Sequence, residues 1–266
     1  MKKEGIFFRF FYDMRRYYRY AMRLARASLR AEVANAYLNW LWWLIEPFSM
    51  MLIYGFIFGI VFQSKEEYFN AFLFIGLTIW RFFSRSVVDS SKIIRGNRAI
   101  ISKVYMPKYI LVFSELLVNA FKMLLSFGVV IIMIIIYKVH ITINVLFIIP
   151  IMMDLFLVTF SVSVILMHYG VLVRDLSYIV NIVLQMLMYL TGTFYSIINR
   201  VPAPYGEIME KANPIAYFIA SARNVLLYGH TVSVKILLGW ALLSCFILSI
   251  GISLVYRHEN SYVKVI

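Results

Sequence analysis

The sequence predicts an all-α, polytopic membrane protein: six transmembrane helices, an N-terminal amphipathic helix at the membrane interface, and short re-entrant helices on the outer side. Three observations carry this. Of the 266 residues, 62% are hydrophobic and only 15% charged, whereas a soluble domain is about 25% charged. Mean hydropathy is +0.81, so one water-soluble core could not hide the apolar surface. Six apolar stretches each reach the roughly 20 residues a helix needs to cross a hydrocarbon core about 30 Å thick.

The amino-terminal segment, residues 1–36, interleaves charge with aromatics and lacks the uninterrupted apolar core of a signal peptide. Over residues 5–30, Phe7, Phe11, Met14, Tyr18, Ala21, Ala25 and Leu29 recur at steps of three and four. Arg16, Arg19, Arg23, Arg26 and Arg30 keep the same rhythm on another face. A basic, aromatic helix of this kind is expected to lie along a membrane surface.

A transmembrane domain is expected over residues 37–256, with spans at 40–62, 69–88, 109–137, 145–173, 178–198 and 236–256, and a cytoplasmic tail over 257–266. Runs this apolar can span only as helices, because lipid offers no partner to an open backbone group. Basic residues orient them. With both termini cytoplasmic, the inner side collects the cations of residues 1–36, Arg81, Arg85, those of residues 90–107, Lys108, Arg174, Arg257 and Lys264. The outer side receives only Lys65, Lys138, Arg200, Lys211, Arg223 and Lys235. The net charge of +13 thus reads as membrane orientation, and no nucleic-acid partner is expected.

Two connections carry signals of their own. The inner loop, residues 90–107, is basic and partly apolar, and predicts a short helix over 92–105 along the membrane face. The outer segment, residues 199–230, is long for a connector. Pro204 suits the first turn of one short helix; Asn213 and Pro214 suit the cap and first turn of another over 214–227. The latter is too short and polar to span, so it is expected to dip into the outer leaflet and return.

No phosphate-binding GxxxxGK[ST] loop, HExxH or CxxC occurs. His140, His168, His230 and His258 scatter over both sides, so no metal site is expected, and the single Cys245 excludes an internal disulfide. Gly55 and Gly59 match a small-xxx-small packing pattern. Glu46, Glu115, Lys122 and Asp154 fall within spans, where ionisable groups are costly and either pair or line a polar pathway. Trp40, Trp42, Trp43, Phe48, Tyr54, Phe72, Phe74 and Trp80 crowd the first two spans. They form interface belts, or a lining on which sugar rings stack and slide.

The order of these features resembles the permease subunits of ABC-type polysaccharide exporters, over nearly the whole chain. Residues 38–47, LNWLWWLIEP, resemble the family's Leu-Gly-x-Leu-Trp-x-x-x-x-Pro signature, with Asn39 in the glycine's place. Asn97 with the later Pro107, the pair Arg174 and Asp175, and Asn213-Pro214 followed by Arg223 are similar to the family's inner loop, polar pair and outer element. The run before the signature, normally basic, instead holds Glu32, Asn35 and Tyr37.

The resemblance implies a half-transporter in the bacterial inner membrane. Two copies would form the pore, and two separate ATPase subunits would bind the ATP and Mg, leaving this chain neither enzyme nor cofactor carrier. Coupling to the ATPase falls to Lys92, Ile94, Arg95, Asn97, Arg98, Ile101, Lys103, Arg174 and Asp175. A polyprenyl-diphosphate-linked glycan of O-antigen, capsule or teichoic acid type would enter at a lateral gate of Arg30, Leu38, Asn39, Arg81 and Arg85. Arginine suits phosphate through its forked donors. Trp40, Trp43, Phe48, Tyr54, Phe72 and Trp80 are the channel aromatics. An enzyme acting on lipid-linked sugars would need an acidic or metal cluster. A channel or secondary transporter would predict repeats, and residues 40–137 and 145–256 have no evident self-similarity.

Overall fold

The computed structural model describes residues 6–34, 37–63, 66–101, 103 and 105–265. Lys2, Lys3, Asn35, Lys65, Ser102 and Val104 lie outside the described residues, as do the side chains of Phe7 and Lys264. Among the described residues the structure is helix and turn without strand.

Helix α1 (Ile6–Val33) turns Phe10, Met14, Tyr17, Ala21 and Leu24 toward its neighbours. Phe11 and Tyr18 of the predicted stripe are exposed. Two stripes one position apart share Met14, Ala21 and Ala25, and aromatics surround the helix. The small Ala21 and Ala25, both buried, allow close approach on either reading, and it is Phe10, Tyr17 and Leu24 that mark the packed face.

A 3-10 turn at Asn39–Leu41 leads into α2 (Trp42–Tyr54), which continues as a wider π-helical stretch, Gly55–Val61. Asn39 takes φ 50°, a left-handed conformation that asparagine tolerates. Helix α3 (Phe69–Gly96) runs unbroken through Arg81 and Arg85. It ends at Asn97, whose amide donates to the Ile93 carbonyl at 2.9 Å. Only α4 (Arg98–Ile101) follows, so Lys92, Ile94 and Arg95 belong to the end of α3 rather than to a separate 92–105 helix. The charged stretch after Val88 holds no glycine or proline before Gly96, so the helix continues and the chain turns at Gly96-Asn97 instead.

Helix α5 (Tyr109–Ile136) and a 3-10 turn leading into α6 (Ile148–Leu172) match the third and fourth predicted spans. Helix α7 (Leu176–Leu190) has 15 residues and stops before Gly192, which takes φ 64°. The apolar run 178–198 is therefore divided by a turn before the four-residue α8 (Ile197–Arg200). Helices α9 (Tyr205–Ala212) and α10 (Pro214–Leu226) begin where proline predicted. Asn213 caps α10 by accepting from the Ile215 and Ala216 amides at 3.1 and 3.4 Å. Helix α11 (Val234–Val265) closes the fold.

Among the described residues, five helices are long and apolar enough to cross a membrane: Asn39–Val61, Phe69–Gly96, Tyr109–Ile136, Ile143–Leu172 and Val234–Glu259. The chain is a multi-pass membrane protein. Helix α3 is its axis, packed against α2, α5, α6, α7 and α10. It meets α6 closely at Gly170, where an added Cβ would stand 1.8 Å from the Ser91 carbonyl oxygen. At one end of the bundle Asn70 donates to the Tyr137 hydroxyl and Thr142 to the Gly229 carbonyl. At the other end Asp13 accepts from Tyr256 at 3.0 Å, and Tyr256 meets Tyr109 at 2.9 Å.

Candidate functional site

Helix α1 is not confined to the rim of the bundle. Asp13 lies beside Tyr109, Ala21 beside Ser114 and Glu32 beside Lys122, so α1 follows α5 in the same direction. Lys122 lies about 20 Å along α5 from its start. The end of α1 thus brings Glu32 between the apolar spans.

There it borders a cavity of about 250 Å³ formed with α2, α3 and α5. Arg81 and Arg85 of α3 and Lys122 of α5 supply positive charge; Glu32 and Glu46 supply negative charge. Lys122 Nζ reaches both Glu32 carboxylate oxygens, at 2.6 and 2.8 Å. Arg85 donates to Glu32 at 3.3 Å, and Arg81 pairs with Glu46. Asp89 lies 3.7 Å from Arg85 and 3.0 Å from Lys92. Charges taken out of water must be paired, and here pairing draws four helices together.

The remaining wall is mixed. Trp43 places its ring 5.5 Å from Lys122 Nζ and packs edge-on against Phe121. Thr78 Oγ1 and Asn119 Oδ1 are buried without a hydrogen-bond partner among the described residues. An unmet buried polar atom costs about 1–3 kcal/mol, so both favour a polar occupant. Across α3 a second groove of about 430 Å³ opens toward α7, where Asn181 and Gln185 face Ser84 and Lys92. Glu46, Arg81 and Arg85 border both spaces.

Of the predicted gate residues, Asn39, Arg81 and Arg85 converge on the cavity. Leu38 is exposed beside it, and Arg30 is exposed outside it. The coupling residues divide. Lys92, Arg98, Lys103, Arg174 and Asp175 are exposed, whereas Ile94 and Ile101 are buried. Arg95 donates to the Arg174 and Val171 carbonyls, both at 3.1 Å, and ties α3 to the link between α6 and α7. The six channel aromatics do not converge. Trp40 and Phe48 are exposed on the first span, Trp43 lines the cavity, and Trp80 borders the α3–α7 groove. Tyr54 packs on Phe194 at 4.5 Å, and Phe72 is buried beneath Arg223.

Sequence reasoning missed three features. Glu32 is the anion shared by two cations. Arg223, placed with the outer charges, is buried and donates to the Phe72, Gly192 and Thr193 carbonyls. A cluster at the α1 end joins Arg9 to Glu259 at 3.4 Å and Tyr105 to Glu259 at 3.3 Å. Burial, followed by the neighbouring Glu259 charge, pushes the Tyr105 phenol up, so it remains a donor. An arginine amid the apolar residues of α10 was the available signal for the second; no local pattern pointed to the others.

A family model described as ABC-2 type transporter matches residues 22–227, from within α1 through α10. Two O-antigen export system permease proteins RfbA of Klebsiella pneumoniae are each 25% identical over 207 residues, covering 77% of this chain and 79% of theirs. RfbA of Myxococcus xanthus, also named an O-antigen export system permease protein, is 25% identical over 233 residues, 84% of this chain and 89% of its own. With the match running through all of the charged cavity and most of the bundle, the chain belongs to the ABC-2 type transporter family.

Proposed function

We propose that this chain is the membrane-spanning half of an ATP-driven polysaccharide exporter, moving a polyprenyl-diphosphate-linked glycan of O-antigen, capsule or teichoic acid type outward across the bacterial inner membrane. The observation that carries it is the cavity where Arg81, Arg85 and Lys122 meet between helices. Forked and ammonium donors on a mixed wall that also holds Trp42, Trp43, Phe82 and Met123 suit a phosphate headgroup whose tail stays in lipid. Thr78 and Asn119 offer further polar contacts.

The family and the names of the relatives support the export reading. Two copies form the pore and two ATPase subunits, carrying ATP and Mg, dock below. The exposed Lys92, Arg98, Lys103, Arg174 and Asp175 lie at one end of the bundle, as a docking face requires. Arg95 links that face to α7 and so to the groove beside the cavity. In this arrangement α7 with α8 makes a sixth crossing, α9 and α10 are re-entrant, and both termini are cytoplasmic. Trp40 and Phe48, exposed on the first span, face the glycan path.

The test is genetic and biochemical. A deletion strain should accumulate lipid-linked glycan on the cytoplasmic side, and a tagged copy should co-purify with a phosphate-loop ATPase. Rescue should fail with Arg81→Ala combined with Arg85→Ala. Reporter fusions placing residues 90–107 outside the cell would overturn the reading, because no cytoplasmic motor could reach them.

A further inference from the structure

The cations of the cavity are already paired with the protein's own anions. Lys122 and Arg85 share Glu32, Arg81 holds Glu46, and Asp89 lies 3.7 Å from Arg85. A phosphate cannot simply add to this set; it must replace a carboxylate. Carboxylate and phosphate compete for the same donors because both accept charge-assisted, bidentate hydrogen bonds.

The layering favours such exchange. The Lys122 and Arg81 side chains are 15% and 30% exposed, while those of Glu32 and Glu46 are 34% and 53% exposed. In these two pairs the carboxylate lies further out than the cation it holds, while Arg85, at 43% exposed, is itself open to an arriving anion. The two carboxylates also come from different elements. Glu32 ends α1 and Glu46 sits on α2, flanking cations on α5 and α3. An anion that reaches Arg85 therefore competes with Glu32 for it, and one phosphate group releases only one of the two glutamates.

We propose that Glu32 and Glu46 are specificity-determining residues. They admit a diphosphate, whose two charged groups displace both carboxylates, and exclude singly charged phospholipids of the surrounding bilayer. This rests on reading the cavity as the lipid-headgroup site. A bare cluster of three cations in a membrane would attract any anionic lipid. With the glutamates present, a single phosphodiester displaces one carboxylate and is repelled by the other. Discrimination thus comes from a built-in repulsive element as well as an attractive one.

Equilibrium binding to the full chain in phosphatidylcholine nanodiscs tests this. The probes are a polyprenyl-diphosphate sugar and the matching polyprenyl-monophosphate sugar, which share lipid and sugar and differ by one phosphate. The wild type should prefer the diphosphate by on the order of tenfold or more. Glu32→Gln and Glu46→Gln should each tighten monophosphate binding several-fold and narrow the preference. Glu207→Gln on α9, the same charge change on an exposed residue paired with Lys211, should keep the wild-type ratio. If Glu32→Gln fails to fold, Glu46→Gln decides, since its pair is the more exposed. A preference unchanged in the foldable glutamine variants, or absent from the wild type, overturns the specificity role and leaves the headgroup site standing. Failure of the wild type to bind either probe overturns the headgroup site itself, and this inference with it.

Discussion

The Arg223 guanidinium on α10 sits 3.4 Å above the ring centre of Phe72 on α3. From there it donates to three carbonyls at 2.7–3.0 Å: that of Phe72 and those of Gly192 and Thr193 beyond α7. One side chain therefore fastens α10, α3 and the turn after α7. Its room is made by Gly76, where a Cβ would lie 2.4 Å from Arg223 Nη2. Lysine cannot reach three divergent acceptors from one nitrogen. Each buried carbonyl left unmet costs about 1–3 kcal/mol. Arg223→Lys is expected to lower stability by about 2 kcal/mol or more and Arg223→Leu by more still, read as earlier thermal unfolding in detergent.

Gly170 fixes the distance between α3 and α6. Its missing Cβ would stand 1.8 Å from a backbone oxygen, which cannot swing aside as a side chain would. The helices must separate to admit even a methyl group, and overpacking of this kind costs about 1–3 kcal/mol or more. Gly170→Ala should destabilise the fold, and Gly170→Val should prevent recovery of monodisperse protein. Gly128, which has open space around it, should accept Ala without loss.

Where local chemistry determined a feature, the sequence revealed it. The spans at 109–137 and 145–173 needed only length and hydropathy, and their helices begin at Tyr109 and Ile148, within three residues of expectation. Asn213-Pro214 announced α10 because cap and N1 proline act within one turn. Arg81 and Arg85 were legible as cations within a span, and the structure brings them to one cavity. Legibility failed where the deciding interaction was distant or competing. The break after α7 turns on a left-handed Gly192 whose neighbouring carbonyls are held by Arg223, 31 residues away. The packed face of α1 was ambiguous by one position, and packing turned Phe10, Tyr17 and Leu24 inward rather than Phe11 and Tyr18. Glu32 stands apart from any span; only the path of α1 along α5 gives it Lys122 and Arg85 as partners.

The Asn213 cap is a local device and should behave as one. Its side chain satisfies two amides at the start of α10. Asn213→Ala is expected to cost about 1 kcal/mol, while Asn213→Asp retains the acceptor and most of the stability. Thermal unfolding of the two variants side by side checks the difference.

The connection between α3 and α5 separates surface from support, and the difference sorts its mutants. Arg98 and Lys103 are exposed, whereas Ile101 is 6% exposed and packs with the cluster containing Tyr109 and Met106. A carboxylate at position 101 would be buried without a partner, at a cost of several kcal/mol. Loss of a binding partner in Ile101→Asp would therefore report unfolding of the connection, not a docking contact. Arg98→Glu combined with Lys103→Glu leaves every buried contact in place and inverts two charges on the proposed docking face. The double variant should keep the wild-type melting temperature and lose at least tenfold in ATPase co-purification. Retained co-purification with an unchanged melting temperature would move the docking face away from this connection.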